Sequence, residues 1–151
     1  MAELTLTLAE LRDRAGQHLG TSSWHEVTQE QVNLFADATG DHQWIHVDPE
    51  RAAAGPFGGP IAHGYLTLAM GPALLWEVLE VTDASLTVNY GLNRVRFPAP
   101  LPVGSRVRAD IACDAVEEVS GGLQATLVLT FEREGGSKPV CVAEVLFRYG
   151  A

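Results

Sequence analysis

Gly64-Tyr65-Leu66-Thr67-Leu68-Ala69-Met70-Gly71-Pro72-Ala73-Leu74-Leu75-Trp76-Glu77-Val78-Leu79 is the stretch whose reading decides the fold. Apolar side chains fall on every side of its helical turns, and a helix without a polar face is one enclosed by protein. Its uncharged part, Gly64 to Trp76, has 13 residues, enough for a buried helix and too few to cross a bilayer. Gly71-Pro72 at the centre predicts a kink, because proline has no N–H to bond one turn back.

Four strand-like segments follow. Leu86, Val88 and Tyr90 share one parity and Val95 and Phe97 the other, which predicts a bulge at Gly91-Leu92. Val107, Ala109, Ile111 and Cys113 alternate with polar residues, as do Leu123, Ala125, Leu127, Leu129 and Phe131. The first half of Val140 to Tyr149 is apolar on both parities, which predicts burial on two sides. Phe97 to Gly104 reads as a Pro-rich connection. An enclosed helix followed by long antiparallel strands indicates an α+β protein with its sheet wrapped around that helix, although this pattern leaves other α+β folds open.

Upstream, Thr7-Leu8-Ala9-Glu10 and Thr28-Gln29-Glu30-Gln31 have the capping-box pattern. The first opens a short helix to about Ala15. The second opens a helix with Val32, Phe35 and Ala38 on one face, ended by Gly40. Leu19 to Val27 reads as a strand, and Asp41 to Pro60 as a loop with a short turn at Pro49 to Ala52.

A chain of 151 residues is expected to form one domain over residues 1–151. Its net charge of −9 argues against nucleic acid and anionic membranes as partners, and leaves ten basic residues to meet any anionic ligand. No secretory signal is apparent at the N-terminus. Cys113 and Cys141 lie in apolar strand stretches and are expected as buried free thiols in a cytoplasmic protein.

The chemistry concentrates in Gly40-Asp41-His42-Gln43-Trp44-Ile45-His46-Val47-Asp48-Pro49 and Pro56-Phe57-Gly58-Gly59-Pro60-Ile61-Ala62-His63-Gly64-Tyr65. Asp41 and His46 form an acid/base pair beyond a helix-ending glycine, and histidine both takes and returns a proton near neutral pH. Gly64 opens the central helix, where unpaired N–H groups favour a developing oxyanion. His63, beside it on the substrate side, orients the loop by hydrogen bonds. His42, His46, His63 and Asp41 match no tight metal-ligand spacing, so no metal and no cofactor are expected.

Together the two runs resemble the signature of MaoC-like (R)-specific enoyl-CoA hydratases of the hot-dog superfamily, and most closely the nodulation-protein-N-like branch, over roughly Ser23 to Tyr149. The resemblance implies a hot-dog fold and reversible hydration of a trans-2-enoyl thioester. It also implies that Asp41 and His46 activate one water while Gly64 N–H polarises the thioester carbonyl. Two departures stand out. Gln43-Trp44 replaces the Asn-Pro of many members, and Pro72 stands where some hydratases have serine.

Arg94 and Arg96, with Arg106 and Arg108 on the next strand, are expected to offer a phosphate-binding patch for acyl-CoA. Small residues around Gly71 leave room for an acyl chain. A homodimer formed by edge pairing is expected from the resemblance and from the two-sided apolar character of Val140 to Val145. Two rival functions remain open, a hot-dog acyl-CoA thioesterase and a non-catalytic acyl-CoA-binding module.

Overall fold

The alternation read along the last three strands becomes the inner face of one antiparallel sheet in the computed structural model, which describes residues 1–151. Strands β2 (His18–Thr21), β3 (His25–Glu26), β5 (Thr87–Arg96), β6 (Arg106–Val119), β7 (Gly122–Arg133) and β8 (Cys141–Gly150) form it. Their order is β2-β6-β7-β8-β5, with β3 also on the β6 edge. A short parallel pair, β1 (Leu4–Leu6) with β4 (Leu79–Val81), lies apart from it. Val107, Ala109, Ile111, Leu127, Leu129, Phe131, Cys141 and Ala143 are almost fully buried on the inner face. Burying side chains of this size stabilises by about 1.5–3 kcal/mol each for the larger ones.

Helices α5 (Gly64–Ala69) and α6 (Gly71–Val78) lie against that face, with Leu66, Leu74, Leu75 and Val78 buried. They form a hot-dog fold, with the helical layer divided by the expected kink. Met70 N–H is shared between the Leu66 and Thr67 carbonyls, which tightens the turn, and Pro72 follows within the first turn of α6. Gly71 packs closely on the sheet, and a Cβ there would sit 3.1 Å from Leu129 Cδ2, so that side chain would have to shift by a few tenths of an ångström.

Several expectations need correction. The central segment is not enclosed on every side, because Tyr65 and Trp76 are 73% and 63% exposed. Tyr65, Ala69, Ala73 and Trp76 form an exposed stripe along it. β8 lies inside the sheet between β7 and β5, with only alternate residues buried, so Val140 to Val145 do not form a sheet edge. One edge is β2 with β3, and the other is β5, which is exposed along nearly its whole length. Its register shifts twice, around Tyr90 and around Asn93, bracketing the expected bulge at Gly91-Leu92.

Leu19 to Val27 divides into β2 and β3. On α2 (Gln29–Thr39) the buried residues are Val32 and Ala36, whereas Ala38 is exposed. The stretch read as a loop contains α3 (Trp44–Val47) and α4 (Pro49–Ala53), the latter capped by Asp48 through Arg51 N–H. The N-terminal capping box forms fully at Thr7 and Glu10 and opens α1 (Leu8–Leu11). Both cysteines are free and buried, and burial pushes the Cys141 thiol up to about 11.

Candidate active site

Gly40 ends α2 in the left-handed region, with φ 84°, and this turn directs the chain into the segment carrying Asp41 and His46. Two bonds fix that segment: Gln29 Nε2 donates to the His46 carbonyl at 2.8 Å and Ile61 N–H donates to the Ile45 carbonyl at 3.0 Å, while Ala62 N–H ties the Ile61 segment to the Leu101 carbonyl at 2.8 Å. Trp44 lies under Arg51, 4.4 Å from the guanidinium, and Gly55 leaves its ring room, since a Cβ there would meet the ring at 2.9 Å.

His46 is 6% exposed, and its Nδ1–H donates to the Ile61 carbonyl at 2.7 Å. That bond selects the neutral tautomer whose free lone pair is on Nε2. Burial, with His63 adding to it, pushes the His46 pKa below its ordinary value against the opposing pull of the Ile61 carbonyl and Asp41. The ring is therefore neutral at pH 7 and competent as a base.

His63 is 2% exposed and stacks on His46, with ring centroids 3.8 Å apart and planes 23° from parallel. Its Nε2–H donates to the Asp41 carbonyl at 3.0 Å, while its buried Nδ1 has no partner. Asp41 keeps its side chain about half exposed, 4.0 Å from His63 Nε2. One polar atom from each of Asp41, His46 and His63 lies within 4.8 Å of the others.

Sequence spacing did not reveal this convergence, because 16 residues separate His46 from His63. Each ring gives one nitrogen to a carbonyl and keeps the other without a protein partner.

Gly64 begins α5 directly after His63, and neither Gly64 N–H nor Tyr65 N–H bonds within the chain. Phe97 lies across Gly64 so closely that a Cβ would meet its ring at 3.0 Å. Both residues line a cavity of about 300 Å³ with Ile61, Thr67, Leu101 and Val140. A second cavity of about 370 Å³ lies at the kink, lined by Gly71, Pro72, Leu92 and Leu129.

The expected arginine patch does not assemble. β5 and β6 are separated by β7 and β8, so Arg94 and Arg96 do not stand beside Arg106 and Arg108. Arg106 and Arg108 pair instead with Glu134 and Glu132. Arg94 and Arg96 lie on the exposed edge strand and line neither cavity. Phe97, Gln29 and the Ile61 carbonyl were missed as parts of the site; their only sequence signal was proximity to the motifs or to the Pro-rich connection.

With this geometry, a match of residues 10–131 to the MaoC-like domain settles the lineage. The chain belongs to the MaoC-like family. It is 59% identical over 146 residues to 3-hydroxyacyl-thioester dehydratase Z of Mycobacterium tuberculosis H37Rv, covering 96% of this chain and 97% of that protein. It is 44% identical to nodulation protein N of Rhizobium leguminosarum bv. viciae, covering 91% and 88%. This MaoC-like chain also matches the solved (R)-hydratase of A. caviae involved in PHA biosynthesis. The TM-score is 0.73 at 25% identity, covering 89% of this chain and 98% of that one.

Proposed function

We propose that this MaoC-like protein is an (R)-specific enoyl-CoA hydratase, acting in reverse as a 3-hydroxyacyl-thioester dehydratase. The observation that carries this reading is His46 with its Nδ1–H engaged and its Nε2 free, clustered with the Asp41 carboxylate and with His63, the residue immediately before the unpaired N–H of Gly64. The names of its relatives point the same way.

In this mechanism a water held between Asp41 and His46 gives a proton to the pair as its oxygen bonds to C3 of the enoyl thioester. The C2=C3 π electrons move toward the carbonyl, whose developing negative charge is met by Gly64 N–H. A proton from the pair then reaches C2, giving the 3-hydroxyacyl thioester with the enzyme restored. His63 positions the Asp41 backbone through its Nε2–H bond. The cavity at Gly71 takes the acyl chain.

The active form in this reading is a cytoplasmic homodimer joined along β5. The free β5 edge and the exposed helical stripe of Tyr65, Ala69 and Trp76 together offer apolar surface that a second copy would cover.

Crotonyl-CoA tests the activity directly. Hydration removes the conjugated-enoyl absorbance without releasing thiol. Thiol release would instead identify a thioesterase, and binding with neither change would identify a non-catalytic acyl-binding module.

A further inference from the structure

An anionic thioester carrier needs cations near the site. Arg12 pairs with Glu118, Arg106 with Glu134 and Arg108 with Glu132, and Arg148 bonds Gln124 and covers Tyr90. Among the cations without a carboxylate partner, Arg133 and Lys138, the chain's single lysine, are the two that line a hollow adjoining the Gly64 cavity. Both sit on the β7–β8 hairpin. The acids nearest to them in sequence, Glu132 and Glu134, are already turned to the β6 arginines.

These two cations line a hollow of about 150 Å³ together with Gly136 and Ser137. The hollow shares Ala99, Pro100 and Val140 with the apolar cavity that begins at Gly64, so one rim separates them. Gly136 adds a local reason for the arrangement. A Cβ there would sit 3.3 Å from Arg133 Nε, so the bare backbone lets the guanidinium lie over the hairpin. On the hairpin's other side Lys138 also borders Asp110, whose carboxylate already accepts from Thr21 Oγ1 and His18 Nε2.

From this placement we infer that Arg133 and Lys138 bind the phosphate ester of the thioester carrier, with its uncharged arm running through the Gly64 cavity past Pro98 and Pro100. The inference rests on the hydratase reading for the position of the thioester at Gly64. It replaces the β5 arginines as the carrier's anchor. Two charge-assisted contacts at a partly exposed site are expected to change affinity by about tenfold together.

The test compares crotonyl-CoA, crotonyl-4′-phosphopantetheine and crotonyl-pantetheine on the whole protein and on an Arg133→Gln/Lys138→Gln variant. KM for the phosphorylated substrates should rise about tenfold with kcat within twofold, while crotonyl-pantetheine is unaffected. A rise for crotonyl-CoA alone assigns the pair to the nucleotide phosphates. An equal rise for both assigns it to the 4′-phosphate, which a carrier protein's prosthetic arm also presents.

An unchanged KM for crotonyl-CoA, or the same rise for crotonyl-pantetheine, overturns the inference. Calorimetric binding of coenzyme A to both proteins separates it from the parent reading. Tenfold tighter binding to the unsubstituted protein without hydration of any thioester would retain the phosphate site and discard the hydratase.

Discussion

Gly64→Ala makes the most direct steric demand on the proposed oxyanion site. The new Cβ would stand 3.0–3.1 Å from three atoms of the Phe97 ring. Carbon pairs prefer about 3.5–4.0 Å, so the ring or the start of α5 must yield by roughly half an ångström. Overpacking costs about 1–3 kcal/mol, partly offset by alanine's better helix propensity, so the protein should stay folded. Losing an oxyanion donor outright costs about 10²–10³ in kcat, and moving one should cost about 10–100-fold.

The expected signature in crotonyl-CoA hydration is a lower kcat with KM changed much less. Phe97 is already 44% exposed, so Phe97→Ala should be tolerated and should return most of the lost kcat when combined with Gly64→Ala. Near-wild-type turnover in Gly64→Ala, with the fold intact by circular dichroism, would refute the role given to the Gly64 N–H.

The pH profile provides a second test. Because burial holds His46 below its ordinary pKa, the acid limb of kcat/KM should lie below that of an ordinary histidine, with kcat/KM falling as pH drops through the lowered value. The same depression makes His46's contribution to stability full above its unfolded pKa and lost as pH falls through the folded one, so acid titration of folding should show the same sign. The Asp41 charge raises the His46 pKa, so the residual activity of Asp41→Asn should have its acid limb at still lower pH; a limb moved upward contradicts the coupling. Val88→Asp on the free β5 edge should convert a dimer to a monomer by light scattering, and an unchanged dimer mass would move the interface elsewhere. Ala69→Leu, beside the Gly71 cavity, should weaken long-chain enoyl-CoA more than crotonyl-CoA, and equal losses would count against an acyl pocket there.

The sheet was legible because period-two alternation survives on β6, β7 and β8, where each inner position meets the helices and each outer one meets solvent. The helical layer was only half legible. Hydrophobicity along Gly64 to Leu79 has one cause on its buried face, contact with the sheet. Tyr65 and Trp76 are equally apolar yet exposed, and periodicity cannot separate the two. β8 was misread for the same reason, since Val142 and Leu146 are apolar at outer positions.

At the candidate site, local motifs single out Asp41, His46 and Gly64, the residues that the proposed mechanism uses. The stacking of His63 on His46 and the closure of Phe97 over Gly64 depend on contacts between residues far apart in sequence, which leave no spacing pattern. The basic patch failed because β5 and β6 follow each other in sequence but are separated by two strands in the sheet.

The central claim is that Asp41 and His46 act on one water as a unit. The measurement is the crotonyl-CoA hydration rate of Asp41→Asn, His46→Gln and the double variant, each shown to be folded and to bind coenzyme A. Each single change should lower kcat by about two to four orders of magnitude. The double variant should fall little below the worse single one, because partners in one proton transfer are not additive. Near-wild-type turnover in either single variant, or losses that multiply in the double, would contradict the account.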